Sequence, residues 1–198
     1  VDMLETGRAT LQTLIEDLER ISGSDRREFV INLAATNSNN LIKRDVVPFG
    51  RLPNPPVLCL LQDVFFISRQ NDQWVGTAYV LDAPVGGVGS LYRYTNSIPV
   101  SENPANLFSY FLGERKYWLI NGASPFFHRL SDRIVSFWLV PSDRNGWLSS
   151  NLLASGEFAF TNQALPAYLD LQLAVLDPKT YDKFRMLTNS SYAPGTAM

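Results

Sequence analysis

The sequence predicts an α+β domain in which an N-terminal amphipathic helix packs on antiparallel β-sheet. Three observations carry this expectation. The opening segment Asp2–Ser22 places Leu4, Leu11, Leu14, Ile15, Leu18 and Ile21 at steps of three, four and seven, on one side of a helix. The remaining chain is mostly strand-like sequence. No other segment shows a helical period over a comparable length.

In chain order, the helix is expected over residues 1–22, closed by Gly23, which tolerates the left-handed conformation of a C-cap. Leu11, Leu14, Ile15, Leu18 and Ile21 form the stripe expected against the sheet. Gly7 shares that stripe, and its missing side chain would let another backbone come close. Glu28–Ala34 alternates Phe29, Ile31 and Leu33 against Val30 and Asn32, a first strand. Thr36–Asn40 is a polar loop. Leu41–Pro56 carries Pro48, Gly50, Pro53, Pro55 and Pro56, which forbid long regular structure. It is expected as an irregular crossover held down by Val46, Val47, Phe49 and Leu52.

Asp63–Arg69, Trp74–Leu81 and Ser90–Ile98 read as three adjacent antiparallel strands of a meander, turned at Gln70–Gln73 and Asp82–Gly89. Arg93 between Tyr92 and Tyr94 points to a half-exposed face with aromatic cross-strand neighbours. Asn103–Leu112 has Pro104 at a first helical position and Leu107, Phe108, Phe111 and Leu112 at helical spacing, so a short helix closed by Gly113 is expected. Lys116–Asn121 reads as a brief strand, Ser124–Leu130 as an aromatic loop and Arg133–Val140 as a strand. Asp143–Gly146 is a turn, and Leu152–Asn162 fits neither period. Ala167–Leu176 points Leu169, Leu171, Leu173 and Val175 one way and Asp170, Gln172 and Ala174 the other. Asp177-Pro178 ends that strand, and Lys179–Leu187 reads as a C-terminal helix. One domain over 1–198 is expected: helix 1–22, a β-rich body with short helices over 28–187, and a flexible tail at 188–198.

Composition narrows the function classes. The net charge is −2 and only 18% of residues are charged, which argues against a nucleic-acid partner. The basic pairs Arg26-Arg27, Lys43-Arg44 and Arg115-Lys116 read as solvated surface. The single Cys59 excludes an internal disulfide and any multi-cysteine metal site. No apolar run reaches about 18 residues, and no signal-peptide pattern is present. Val1 in place of an initiator Met leads us to expect a processed or cut start.

No catalytic signature emerges, and the expectation is a protein that is not an enzyme. Cys59 lies within VLCLL, where burial keeps a thiol inert. His128 follows Phe126-Phe127 without an HxH or HExxH companion. Asp63, Asp82, Asp132, Asp143 and Asp177 stand at strand ends or turns and Asp170 faces outward, so no carboxylate pair is preferred for acid–base work. Val85–Ser90 (VGGVGS) lacks the ending of a phosphate-binding loop and runs into a strand, so it reads as a hairpin turn. Asp143 and Asn145 beside Gly146 resemble a fragment of a calcium loop without the acidic residue at its twelfth position. They are the one weak metal candidate, and no cofactor is otherwise expected. Trp74, Trp118, Trp138 and Trp147 are core or interface material, with Trp118 and Trp147 expected to be partly exposed.

The order of features resembles a known family. RIVSFWLVPSDRNGW offers Val135, Phe137, Leu139, Asp143, Gly146 and Trp147. ALPAYLDLQLAVLD comes next with Leu165, Pro166, Leu169, Leu171, Leu173, Val175 and Asp177, and an earlier hairpin carries Trp74, Gly76, Tyr79, Leu91 and Arg93. Behind a leading helix, this pattern resembles the minor pseudopilins and type IV pilin-like proteins, particularly the J-type minor pseudopilin of type II secretion. The resemblance covers nearly the whole chain through degenerate motifs. The leader, the glutamate at the fifth mature position and the hydrophobic half of the first helix are absent.

The resemblance implies a pilin-like soluble ectodomain, native to the periplasmic face of the inner membrane and anchored by a single N-terminal segment missing here. It implies a structural subunit of a secretion or pilus filament whose partners are other pseudopilin or pilin subunits. Met3, Leu4 and Gly7 would form its subunit-contact face, while the rest of the helix would pack on Phe29, Ile31, Val135, Phe137, Leu171 and Leu173. Two alternatives stay open: a viral capsid protein with a β jelly-roll, and an extracellular carbohydrate-binding module or hydrolase.

Overall fold

The computed structural model describes residues 2–21, 29–31, 47–48, 58–59, 63–82, 88–122, 124–146, 158–160 and 165–190. Helix α1 (Asp2–Glu19) is followed by β1 (Phe29–Ile31), β2 (Val47–Pro48), β3 (Leu58–Cys59), β4 (Val64–Gln70), β5 (Gln73–Leu81) and β6 (Gly89–Pro99). Helix α2 (Ala105–Asn121) leads into β7 (Phe127–Ser142), β8 (Phe158–Phe160), β9 (Tyr168–Val175) and helix α3 (Pro178–Ser190). The result is an α+β fold. Seven strands form one antiparallel sheet in the order β8-β1-β4-β5-β6-β7-β9, and β2 pairs with β3 apart from it.

The meander is the sheet's centre. Strands β4 and β5 share a register from Val64↔Tyr79 to Gln70↔Gln73, and Asn71 takes the left-handed φ of 52° that the two-residue turn requires. β5 and β6 pair from Gln73↔Pro99 to Leu81↔Leu91, which sets Tyr79 opposite Arg93. The period of two sends alternate residues to opposite faces, and each face carries a core. On one, Val64, Phe66, Tyr79, Leu81, Leu91, Ile134, Phe137 and Leu139 pack with Leu14 of α1. On the other, Phe65, Ile67, Ala78, Val80, Tyr94 and Phe127 pack with Leu107, Phe111 and Trp118 of α2. The sheet is thus covered by a helix on each side.

Gly76 explains how closely α2 approaches. A Cβ there would lie 3.1 Å from the Leu107 Cβ and 3.1 Å from the Phe65 ring. The ring of Phe65 sits 5.3 Å from that of Phe111, and Trp118 stacks on Phe127 at 4.7 Å.

Helix α2 corrects the sequence expectation of a short helix followed by a brief strand. It runs through Gly113 to Asn121 and closes at Gly122, whose φ is 70° and whose N–H donates to the Trp118 carbonyl at 2.7 Å. Gly113 is exposed, so the helix passes through it at a cost of about 1 kcal/mol relative to alanine. Trp118, expected to be partly exposed, is buried against Tyr92 and Phe127. Strand β7 begins at Phe127, inside the expected aromatic loop. Helix α3 extends to Ser190, so the first part of the expected tail is helical. Its start is a capped one: the Asp177 carboxylate accepts from the Thr180 N–H at 3.0 Å, and Pro178 opens the helix.

In β9, Leu169, Leu171, Leu173 and Val175 pack against the α1-side core while Tyr168, Asp170, Gln172 and Ala174 are exposed, the alternation the sequence predicts. Leu33, Trp147 and Ser191–Met198 lie outside the described residues. No described helix is long and apolar enough to cross a membrane.

Candidate assembly surface

Helix α1 is divided along its length. In its second half, Thr10, Leu14 and Asp17 are buried, Leu18 and Ile21 pack partly against the same core, and Leu11 is half-buried. The line of contact therefore runs through positions 10, 14, 17 and 21, close to the 3.6-residue period. Ile15, expected in the helix-on-sheet core, is 44% exposed. One residue on from Leu14 is a rotation of about 100°, which turns Ile15 away from the sheet. Two polar residues occupy line positions instead. The Thr10 hydroxyl is satisfied within the helix, donating to the Thr6 carbonyl at 2.8 Å.

Asp17 is satisfied by the sheet. Its Oδ2 accepts from the Tyr79 hydroxyl at 2.6 Å and from Arg93 Nε at 2.6 Å, and its Oδ1 accepts from Arg93 Nη2 at 3.0 Å. The bidentate fork fixes both distance and rotation, because a planar guanidinium meets a carboxylate in few orientations. Burial, then the hydrogen bond to Asp17, push the Tyr79 hydroxyl far above its ordinary value, so it remains a donor. The hydrogen bond to Asp17 raises Arg93 likewise, and it stays a cation. This triad bolts α1 to the meander. The backbone of Ile21 adds a bridge to Ser68 at the edge of β4.

Ahead of Thr10 the same line passes through Gly7, which offers no side chain to the sheet, and the outward positions are exposed as Gln12, Glu16 and Glu19 are in the second half. Glu5, Thr6, Arg8 and Ala9 are exposed, and a Cβ at half-buried Gly7 would meet nothing within 4 Å. Of the predicted contact face, Met3 and Leu4 lie on the helix, but their side chains are outside the described residues. A second exposed surface is one the sequence reading does not anticipate. Helix α2 turns Tyr110, Tyr117, Leu119 and Ile120 outward, Ile120 at 73% exposure. The signal is there as four apolar residues more than the buried stripe of α2 can use.

The residues considered for chemistry are dispersed. Asp63 lies at the start of β4, buried and ion-paired with Arg115 of α2, and its Oδ1 accepts from the Leu81 N–H at 3.3 Å. Arg115 is therefore held by a buried carboxylate and is not the solvated surface group expected. Asp82 accepts from the Ser90 N–H at 2.5 Å, Asp132 pairs with Arg129, Asp170 is exposed on β9 and Asp177 caps α3. His128 is exposed on β7, opposite Arg93 in register. Cys59 is on β3, its side chain outside the described residues, and Gly89 and Ser90 enter a strand.

At the weak calcium candidate, Asp143 Oδ1 accepts from the Asn145 N–H at 2.8 Å and the Asp143 carbonyl from the Gly146 N–H at 3.0 Å. The Asp143 side chain thus stabilises a turn. Among the described residues no group of three or more His, Cys, Asp or Glu side chains could hold a metal. No protein-family model matches the chain, and neither does any curated protein or solved structure.

Proposed function

We propose that the chain is a structural subunit of an envelope filament, of the minor pseudopilin or type IV pilin-like kind, and that it performs no catalysis. The observation that carries this reading is that the sheet-facing line of α1 holds buried Thr10, Leu14 and Asp17 but, ahead of them, only half-buried Gly7 among the described side chains, while Glu5, Arg8, Ala9, Gln12, Ile15 and Glu16 leave the outward side of the helix exposed. A helix with two environments of this kind suits a subunit whose leading half packs among the helices of its neighbours. On this reading the partners are other filament subunits, the sheet and its loops face outward, and the protein works at the periplasmic face of the inner membrane.

The jelly-roll capsid reading is less favoured, because a jelly roll stacks two four-stranded sheets, whereas here helices cover both faces of one seven-stranded sheet. The test is a photo-crosslinking amino acid placed at Arg8 or Ala9 of the chain in its native cells, with Asp170 on β9 as control. Discrete adducts to other helix-led envelope subunits from positions 8 and 9, absent from 170, are expected. Equal adducts from all three positions, or none with the protein folded and present, would overturn the proposal.

A further inference from the structure

Strand β7 is irregular where it passes the front of α1. Its register with β6 slips between Gly89 and Leu91 and again between Leu91 and Tyr92, and its register with β9 slips between Ile134 and Ser136. Within this stretch Arg133 has a φ of 61°, a conformation that residues with a Cβ adopt at a cost. Bulges and strained residues of this kind re-aim side chains and gather at binding sites. A cavity of about 240 Å³ opens here, walled by Thr6 of α1, by Arg129, Ser131, Asp132 and Arg133 of β7, and by Val175 of β9.

The charge of that wall is uneven. Arg129 is ion-paired with Asp132, and its Nη2 donates to the Ser90 hydroxyl at 3.3 Å. Arg133 has no ion pair among the described residues, and its Nε is buried without an acceptor. Among the described residues, two arginines against one aspartate leave the cavity wall with one excess positive charge. Strain and an unsatisfied donor thus meet in one cavity-lining side chain, and an unmade hydrogen bond of this kind requires an explanation.

We propose that this cavity is an oxyanion site that takes one carboxylate, with Arg133 as its principal cation and Arg129 as a further donor. A carboxylate cancels the single excess charge and offers guanidinium groups the planar acceptor they bind best, whereas a phosphate dianion overshoots it. The same chemistry is available from a small free carboxylate and from an Asp or Glu side chain of a second copy of the chain. The proposal does not depend on the filament reading.

The test is a titration of the folded chain with sodium acetate, followed by two-dimensional amide NMR against sodium chloride at equal ionic strength. Saturable shifts at Thr6, at residues 129–133 and at Val175 are expected with acetate and not with chloride. Arg133→Asn, which retains a residue tolerant of the left-handed conformation, is expected to weaken acetate binding at least about tenfold, and Arg133→Gly to do the same. Sedimentation separates the sources. Self-association dispersed by acetate identifies a second copy, and a monomer with the same acetate shifts identifies a free carboxylate. No saturable shift in the folded protein, or unchanged binding in both variants, overturns the site. Saturation by phosphate at lower concentration than acetate overturns the carboxylate assignment.

Discussion

Replacing Asp17 with alanine removes the group on which the attachment of α1 to the sheet converges. Tyr79 is fully buried, so its hydroxyl loses its short acceptor inside the core and keeps only the Thr13 carbonyl at 3.5 Å, a loss at the lower end of about 1–3 kcal/mol. Arg93 loses a bidentate partner. Its side chain retains 27% exposure, so water recovers part of its solvation and the cost falls at the lower end of the roughly 3–5 kcal/mol for breaking a buried ion pair. We expect a total near 4 kcal/mol, a drop in Tm of roughly 8–16 °C for a chain of this size. Tyr79→Phe leaves the ion pair and removes one donor, and should cost about 1–1.5 kcal/mol. Chemical denaturation of both single variants and the double variant measures these values, and the pair should couple by at least about 0.5 kcal/mol. An Asp17→Ala protein within about 0.5 kcal/mol of the parent would refute the claim that this triad fastens the helix.

Gly76→Ala pushes a methyl group against Leu107 and Phe65 and should cost about 1–3 kcal/mol by overpacking; an unchanged denaturation midpoint would mean α2 is not seated on β5. At Gly113, by contrast, a Cβ meets nothing within 4 Å, and Gly113→Ala should stabilise the protein by about 0.5–1 kcal/mol, readable as a higher Tm. Burial raises the pKa of Asp63 above its ordinary 3.8, against the opposing pull of Arg115. The folded state therefore holds that proton more tightly than the unfolded chain. The stability this adds is complete below about 3.8 and is lost as pH rises through the raised value. In Asp63→Asn the dependence disappears, so the stability of the variant relative to the parent should improve as pH rises above about 3.8 toward the raised value. A pH-independent difference contradicts it.

Local patterns are legible in the sequence and long-range polar pairs are not. The meander can be read because β4 and β5 are runs of β-branched and aromatic residues bounded by turn residues, as strands buried on both faces are, and β9 shows a clean alternation at the sheet edge. Helix α2 misleads for two reasons. Gly113 follows an apolar pair, as a cap would, and Tyr117, Trp118, Leu119 and Ile120 are all apolar, so no period distinguishes strand from helix. Only packing shows that Trp118 goes inward while Leu119 and Ile120 stay out. In α1 the apolar stripe locates the helix but misplaces its contact line. Asp17 sits at a core position because Arg93, 76 residues away, satisfies it, and nothing in a local window announces such a partner. Arg115 and Asp63 show the same limit, as does Arg133, whose interest lies in a backbone angle and a buried donor without an acceptor.

The division of α1 is tested most directly by amide hydrogen exchange on the isolated protein. Amides of Leu14–Glu19 are expected to exchange only with global unfolding, because their half of the helix is bolted to the core. Those of Arg8 and Ala9, and of the turn that precedes them, should exchange faster by local fraying, since this turn meets the sheet through Gly7 and the Thr6 side of the β7 cavity and a lightly packed helix end is marginal in water. Uniform protection along the whole helix, lost only when the protein unfolds, would contradict that division, because the first half would then be held by the chain itself and not be free for a partner.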